Sequence, residues 1–186
     1  MNILSFLCNS RSMREQLEQS RLRLYRVAYS WCSDRALSDD LVQETLSKAL
    51  KSASQLRDPD RFNSWLFSIM ANCWRDHFRN HQEMDDIDEL EDYRCVHEVT
   101  PEDEHAQTQI VQRVRAAVGN LPVGQRQVLT LVDLEDFSYA EVASILGIPA
   151  GTVMSRLCRA RQALKGMLLE FAPRQTAQVT RIRRVK

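Results

Sequence analysis

Asp136-Phe-Ser-Tyr-Ala-Glu-Val-Ala-Ser-Ile-Leu-Gly-Ile-Pro-Ala-Gly-Thr-Val-Met-Ser-Arg-Leu-Cys-Arg-Ala-Arg161 reads as a helix, a tight turn and a second helix. Ser138 is a good N-cap, because its hydroxyl accepts from the free N–H groups of a first helical turn, and Glu141 three residues on completes a capping box. Val142, Ile145 and Leu146 give a short apolar face at helical spacing. Gly147 stops the helix, as expected of a residue that tolerates positive φ. Pro149 bars simple continuation, and a second helix starts around Ala150 to Thr152. In that helix Val153, Leu157, Ala160 and Leu164 fall on one face, leaving Ser155, Arg156, Cys158, Arg159 and Gln162 pointing outward. A thin apolar back with small polar and guanidinium side chains in front suits a helix that enters the major groove of DNA. The plainer alternative is a surface helical hairpin with a solvated basic face.

Around this stretch the 186 residues have room for one large or two small domains, with hydrophobic and charged shares of 44% and 27% that are ordinary for a soluble chain. The net charge is zero but unevenly spread. Between Glu83 and Glu104 eleven acidic residues face Arg94 as the only strong base, whereas from Ala150 onward nine lysines and arginines face Glu170 alone. That asymmetry suits an anionic partner at the C-terminal end. The five cysteines (Cys8, Cys32, Cys73, Cys95, Cys158) are scattered and form no CxxC pair, so they read as reduced thiols of a cytosolic protein. Cys95 and His97 are too few ligands for a structural zinc site. The apolar start Ile3-Leu-Ser-Phe-Leu-Cys8 is too short for a membrane span and lacks the basic flank of a signal peptide. Five glycines and no alternating apolar runs point to an all-α fold.

Taken in order, 1–12 is an N-terminal extension, and from Met13 to Trp31 the apolar residues Leu17, Leu22, Leu24, Tyr25, Ala28 and Tyr29 describe an amphipathic helix interrupted near Ser33-Asp34. Ser38-Asp39-Asp40 offers an N-cap for a helix from Leu41 to about Ser54, apolar at Leu41, Val42, Thr45, Leu46, Ala49, Leu50 and Ala53. Its opposite face carries Asp40, Gln43, Glu44, Ser47 and Lys51, which by itself reads as an ordinary solvated face. Pro59 forces a loop, and a helix from Phe62 to about His81 then carries Phe62, Trp65, Leu66, Phe67, Ile69, Met70, Cys73, Trp74 and Phe78. So broad an apolar surface marks the central helix of a bundle. The narrow remainder holds Ser68, Asn72, Arg75 and Arg79, and aromatics interleaved with such residues suit single-stranded nucleic acid, whose bases stack on rings while cations hold phosphates. Core burial is the competing account of those aromatics: it fits Leu66 and Phe67, while Trp74 stands open between the two. Residues 83–106 lose periodicity and form an acidic flexible linker. Helices return from Gln107 to Pro122 and from Val123 to Leu134, so that 107–170 makes a second helical domain containing the helix-turn-helix. The tail 171–186 is basic and expected to be disordered.

Two small helical domains joined by an acidic linker, the second ending in a helix-turn-helix, resemble the extracytoplasmic-function group of bacterial sigma factors, from about Arg21 to Leu169. Asp39-Asp-Leu-Val-Gln-Glu-Thr-Leu-Ser-Lys-Ala-Leu50 is similar to the family's polymerase-binding helix, and Phe62 to Arg79 to its promoter-melting helix. Leu121-Pro-Val-Gly-Gln-Arg-Gln-Val-Leu129, Phe137-Ser-Tyr-Ala-Glu-Val-Ala143 and Gly151 to Arg161 resemble its second domain. The resemblance implies that Asp40, Gln43, Glu44 and Ser47 face the β′ clamp helices of core RNA polymerase, and that the β flap is a further contact. It implies that the Leu56–Phe62 loop, with Arg57 and Arg61, and Asn72 form a pocket for a flipped base of the minus-ten element. Unstacking that base costs a few kcal/mol, which a fitted pocket and the rings of Trp65 and Trp74 would return. Arg75 and Arg79 would hold nearby phosphates. Ser155, Cys158 and Arg159 would read the minus-thirty-five element, flanked by Tyr139, Thr152 and Met154, with Arg156 and Arg161 nearer the backbone. An anti-sigma factor, able to hold the chain at the inner membrane, is the remaining implied partner; neither cofactor nor metal nor catalytic residue is implied. Met154 and Cys158 depart from the family, which often has a cation at the first position and an aromatic or longer side chain at the second.

A helix-turn-helix repressor or activator would account for the last four helices but not for the Asp39–Leu50 surface or the Phe62–Arg79 helix. A sigma-mimicking adaptor that sequesters an anti-sigma factor would leave the basic recognition face without a purpose. No nucleophile–base pair, phosphate loop or metal set argues for an enzyme.

Overall fold

The computed structural model describes residues 3–56, 58–82 and 106–170, and every regular element among them is helical. Arg57, the tail, and the linker apart from its last residue lie outside the described residues. Helix α1 (Ile3–Cys32) begins within the stretch expected to be an extension. Its buried residues Leu17, Leu24, Val27, Ala28 and Trp31 line up at helical spacing, and the helix packs chiefly against the one that follows it. Ser33, with φ 53°, ends α1 by donating its backbone N–H to the Tyr29 carbonyl (2.8 Å).

Helix α2 (Arg35–Lys51) starts one turn earlier than the Ser38-Asp39-Asp40 expectation. Left-handed Ser33 turns the chain and leaves Asp34 in the extended conformation an N-cap needs, where its carboxylate accepts from the Leu37 N–H at 3.0 Å. Ser38 is instead buried inside the first turn, its hydroxyl donating back to the Asp34 carbonyl. Two short 3₁₀ turns follow, Ala53–Gln55 and Pro59–Arg61; Asp58 caps the second, and Pro59 occupies its start. Helix α3 (Phe62–Gln82) buries Phe62, Leu66, Phe67, Met70, Ala71, Cys73 and Trp74.

The second unit comprises α4 (Ala106–Gly119), α5 (Val123–Leu129), α6 (Tyr139–Leu146) and α7 (Ala150–Glu170), with α4, α5 and α6 all packed on α7. The expected helix from Val123 to Leu134 is regular only to Leu129 and then widens into a π turn, Thr130–Leu134. There the Glu135 N–H reaches the Thr130 carbonyl (3.2 Å) and the Phe137 N–H reaches that of Leu131 (3.1 Å). Single π turns of this kind often mark functional places.

The two units share one hydrophobic core. Trp31 Nε1 donates to Thr130 Oγ1 at 2.8 Å in the interior. The Phe67 and Phe137 rings meet edge to face, centroids 5.3 Å apart, and α6 lies across α3. Arg23 caps this contact: its guanidinium sits 5.5 Å from the Phe67 centroid, its Nε donates to the Glu135 carboxylate, and NH1 donates to Asn63 Oδ1 (3.2 Å).

The Glu135 side chain is only 6% exposed. Burial pushes its carboxyl above the usual carboxylate range, and the Arg23 guanidinium pulls it only part of the way back. The folded chain therefore holds this proton more tightly than the unfolded chain. The group's contribution to stability is complete below the ordinary carboxylate pKa and is lost as pH rises through the raised value. Glu135→Gln still accepts from Arg23 without a buried charge, so it should flatten that limb of the stability–pH curve and leave neutral-pH stability equal or higher. Arg23→Ala strands the carboxylate and should lower stability by about 1–3 kcal/mol, toward the lower end because Arg23 is partly exposed. Urea unfolding across the acid-to-neutral range measures both; a Glu135→Gln variant less stable than the parent at neutral pH would contradict this account.

Candidate nucleic-acid interface

Helices α6 and α7 meet as the sequence pattern requires. The Ser138 N–H donates to Glu141 Oε2 (2.9 Å) while the Glu141 N–H donates to Ser138 Oγ (3.3 Å), closing the capping box. The hydrogen bonds from Ser138 hold the Glu141 carboxyl below its usual range. Gly147 adopts φ +66°, so any side chain there is strained, and the Pro149 carbonyl opens the α7 hydrogen-bond ladder by accepting from the N–H groups of Thr152 (2.9 Å) and Val153 (3.1 Å). Val142, Ile145 and Leu146 pack inward against Val153, Leu157 and Ala160. That fixes which side chains of α7 remain outside: Met154 at 51% exposure, with Ser155, Cys158 and Arg159 on the same exposed surface. Tyr139 is exposed on α6, and Thr152 is half-buried at the start of α7.

The other two arginines of this set lie closer to the body of the unit. Arg156 is half-buried and folds back over α5, its guanidinium lying over Gly124, where a Cβ would come within 2.7 Å of NH1 and move the guanidinium aside. Arg161 grips Asp133 in a fork, NH2 to Oδ1 at 2.5 Å and Nε to Oδ2 at 3.2 Å, tying α7 to the π turn.

On the first unit, Asp40, Gln43, Glu44 and Ser47 lie exposed along one face of α2. On α3 the burial of the aromatic side leaves a stripe in which Trp65 and Ser68 are half-buried and Asn72, Arg75 and Arg79 are exposed. Asn72 Oδ1 accepts from Arg75 NH2, and Arg75 Nε donates to the Ala71 carbonyl (3.3 Å), which directs the guanidinium along the helix. Arg61 is exposed beside Asp58 (3.4 Å), and Trp65 tilts against Phe62. Arg57 lies outside the described residues. Lys48 and Lys51 of α2 and Ser52 at its C-cap join Ile69, Asn72, Arg75, Asp76 and Arg79 around a groove of about 620 Å³. Four cations against one carboxylate suit a phosphate-bearing ligand.

Trp74 corrects the sequence expectation that it stacks on a base. It is 4% exposed, edge to face with Trp31 (5.9 Å) and tilted on Phe78 (4.3 Å). Its place one helical turn beyond Met70 puts it on the core side of α3, whereas Trp65 reaches the rim. Lys48 is absent from the set of residues expected from the sequence. The available signal was its i+4 spacing from Glu44, which brings the two side chains together on one helix face. Among the described residues no cluster of three or more metal-binding side chains occurs, and no helix is long and apolar enough to cross a membrane.

Comparison with known proteins covers both units. Residues 17–83 match the family model for sigma-70 region 2, and residues 111–164 that for sigma-70 region 4. The chain is 35% identical over 164 residues to the ECF RNA polymerase sigma factor EcfG of Rhodopseudomonas palustris, covering 84% of this chain and 87% of that protein. It is 31% identical over 169 residues to the ECF sigma factor SigE of Mycolicibacterium smegmatis, covering 90% of this chain and 65% of that one. The sigma factor RpoE of Bartonella quintana, solved in complex with the anti-sigma factor NepR, superposes with a TM-score of 0.71 at 27% identity over 86% of this chain and 98% of its own.

The burial pattern separates two kinds of residue on α3. Trp74→Ala should cost about 3–5 kcal/mol of stability, as truncation of a buried aromatic does, while Arg75→Ala should stay within about 0.5 kcal/mol. Thermal unfolding of the two variants checks this; a Trp74→Ala protein as stable as the parent would return the indole to the surface.

Proposed function

The chain belongs to the sigma-70 family, in its extracytoplasmic-function group, and from that membership we propose how its surfaces divide the work of directing RNA polymerase to promoters. A sigma factor supplies specificity and strand opening, not bond chemistry, so the relevant sites are docking faces and nucleic-acid grips. In this reading residues 13–82 form the polymerase-binding and minus-ten domain and 107–170 the minus-thirty-five domain, with 83–106 the connection between them. The observation that carries it is the stripe Trp65, Asn72, Arg75 and Arg79, left accessible along a helix that is otherwise core.

Asp40, Gln43, Glu44 and Ser47 present an acidic and polar surface to a basic partner, which we assign to the β′ clamp helices, with the β flap as a second polymerase contact. Asn72 and the Pro59–Arg61 turn receive an unstacked base of the minus-ten element, the Trp65 ring flanks it, and Arg75 and Arg79 hold the strand by its phosphates. Ser155, Cys158 and Arg159 face base edges of the minus-thirty-five element, with Tyr139, Thr152 and Met154 around them. Arg161 is committed to Asp133 and Arg156 is half-buried over Gly124, so the exposed Arg159 is the arginine of this set best placed to read a base. A methionine at 154 favours apolar contact with a thymine methyl over a guanine contact.

The two grips address DNA about 25 base pairs apart, on the order of 85 Å along a B-form duplex at about 3.4 Å per step. With α6 lying on α3 the units cannot span that length, so promoter engagement requires them to separate. A protein inhibitor of the anti-sigma kind would act by favouring the packed arrangement.

Run-off transcription with core polymerase and a promoter library tests the assignment. Arg159→Ala should relax one upstream base position and cost about 1–3 kcal/mol at that position. Equal loss on every sequence would make Arg159 a phosphate clamp. Asp40→Lys should weaken polymerase binding with the fold intact, and unchanged affinity would remove α2 as the docking face.

A further inference from the structure

The groove between α2 and α3 shares one charged network with the exposed face of α2. Lys48 Nζ lies 2.9 Å from Glu44 Oε1 and 3.3 Å from Asp76 Oδ2, and Asp76 Oδ1 lies 3.0 Å from Arg79 NH2. Four charges of alternating sign thus run from the face assigned to polymerase to the stripe assigned to the DNA strand. Glu44 stands on the first surface, Arg79 on the second, and Lys48 with Asp76 in between. Each side chain is open to solvent, with relative exposures of 47% for Glu44, 42% for Lys48 and 40% for Asp76. Exposed pairs of this kind are individually weak, so a phosphate or a partner's cation competes with them readily. The Glu44 hydrogen bond is the largest influence holding the Lys48 ammonium above the ordinary lysine range, so Glu44 rather than Asp76 is its main partner in the free chain.

We propose that Lys48 is a positioning residue that couples polymerase docking at Glu44 to strand capture in the groove; this rests on the assignment of those two surfaces given above. In the free chain Glu44 and Asp76 together neutralise Lys48, and Arg79 is drawn onto Asp76, so the groove shows less positive potential than its four cations would give. When a basic surface on the polymerase takes Glu44, Lys48 loses its stronger partner. It then turns into the groove lined by Lys51, Asn72 and Arg75, or stays on Asp76 and frees Arg79. Either way the groove gains one effective cation for a backbone phosphate. The Glu44 charge itself lies within a Debye length of the groove, so its neutralisation acts in the same direction. Strand affinity therefore rises only after docking, and the cause is local, without any movement of helices.

The test uses the full-length chain and a fluorescent single-stranded DNA oligonucleotide across a salt series, without polymerase. One added phosphate contact steepens the log K against log salt slope by about 0.7 and raises affinity about fivefold near 0.1 M salt. Glu44→Gln, which imitates the docked state, should produce both changes. Lys48→Met in the Glu44→Gln background should abolish them, and Lys48→Arg in that background should retain them, which a merely structural role for Lys48 would not do. An unchanged slope in Glu44→Gln, or a gain that survives Lys48→Met, overturns the coupling. Arg75→Ala separates the two levels. If it weakens oligonucleotide binding while the Lys48 variants do nothing, the groove stands and the coupling falls. If it too has no effect, the assignment of the groove to the strand is wrong.

Discussion

A buried indole N–H needs an acceptor, and in this chain Thr130 supplies one to Trp31 at 2.8 Å from 99 residues away. Left unpaired, such a donor costs about 1–3 kcal/mol, so the pairing acts as a condition on how the two units meet. The Thr130 hydroxyl is itself oriented, because its single hydrogen goes to the Arg126 carbonyl at 2.8 Å and leaves a lone pair for Trp31. The π turn starts at this same residue. By widening there, the helix frees the Leu131 carbonyl for the Phe137 N–H, and Phe137 is carried onto Phe67. Hydrophobic burial alone has no direction and would tolerate many registers between the units. One satisfied polar contact in the interior, with the edge-to-face pair beside it, specifies the one observed.

That constraint also explains the composition of α3. The helix is covered by α2 on one side, by Trp31 through Trp74 on a second and by α6 through Phe67 on a third. What remains accessible is narrow, and the sequence fills it with Asn72, Arg75 and Arg79. A stripe held on so heavily buried a helix has its backbone fixed before any ligand arrives, which limits the ordering that the proposed strand binding would have to impose. The groove beside it is completed by a different helix, α2, whose outer face has another assignment, so neither surface is electrostatically independent of the other.

The parts of this molecule legible in its sequence are those whose causes are local. Ser138, Glu141, Gly147 and Pro149 sit within twelve residues and fix the helix-turn-helix through backbone hydrogen bonds that the structure reproduces one by one. The long amphipathic helices followed from periodicity for the same reason. The α2 cap was misjudged because Ser38 and Asp34 are both capping residues, and the choice between them was made by the left-handed turn at Ser33, which has no sequence signature in a non-glycine residue. The π turn was invisible because its stabilising partner lies in α1. Site residues divide the same way. Exposure of Asn72, Arg75 and Arg159 followed from helical phase, but the engagement of Arg161 by Asp133, 28 residues away, depended on how α7 packs. Trp74 was undecidable from composition, since an aromatic that stacks on bases and one that fills a core have the same chemistry and differ only in what covers them.

The packed arrangement bears on when the proposed grips become available. Separating the units exposes Phe67 and Phe137 and breaks the Trp31–Thr130 and Arg23–Glu135 contacts, a cost on the order of 5 kcal/mol from the aromatic surface and the buried polar groups together. Non-specific association with DNA, at dissociation constants of about 10⁻⁴–10⁻⁶ M, is worth only about 5.5–8 kcal/mol. Most of that would be consumed in opening the chain. A protein partner bound at nanomolar affinity contributes about 12 kcal/mol and leaves a surplus. On the proposed assignment, then, a free chain that meets DNA gains little by opening, and one that meets polymerase gains a great deal. Selectivity for the assembled machine follows from the magnitudes of a shared core and needs no dedicated inhibitory segment. The Lys48 network would act in the same sense at smaller scale, withholding one cation from the strand until the neighbouring face is occupied.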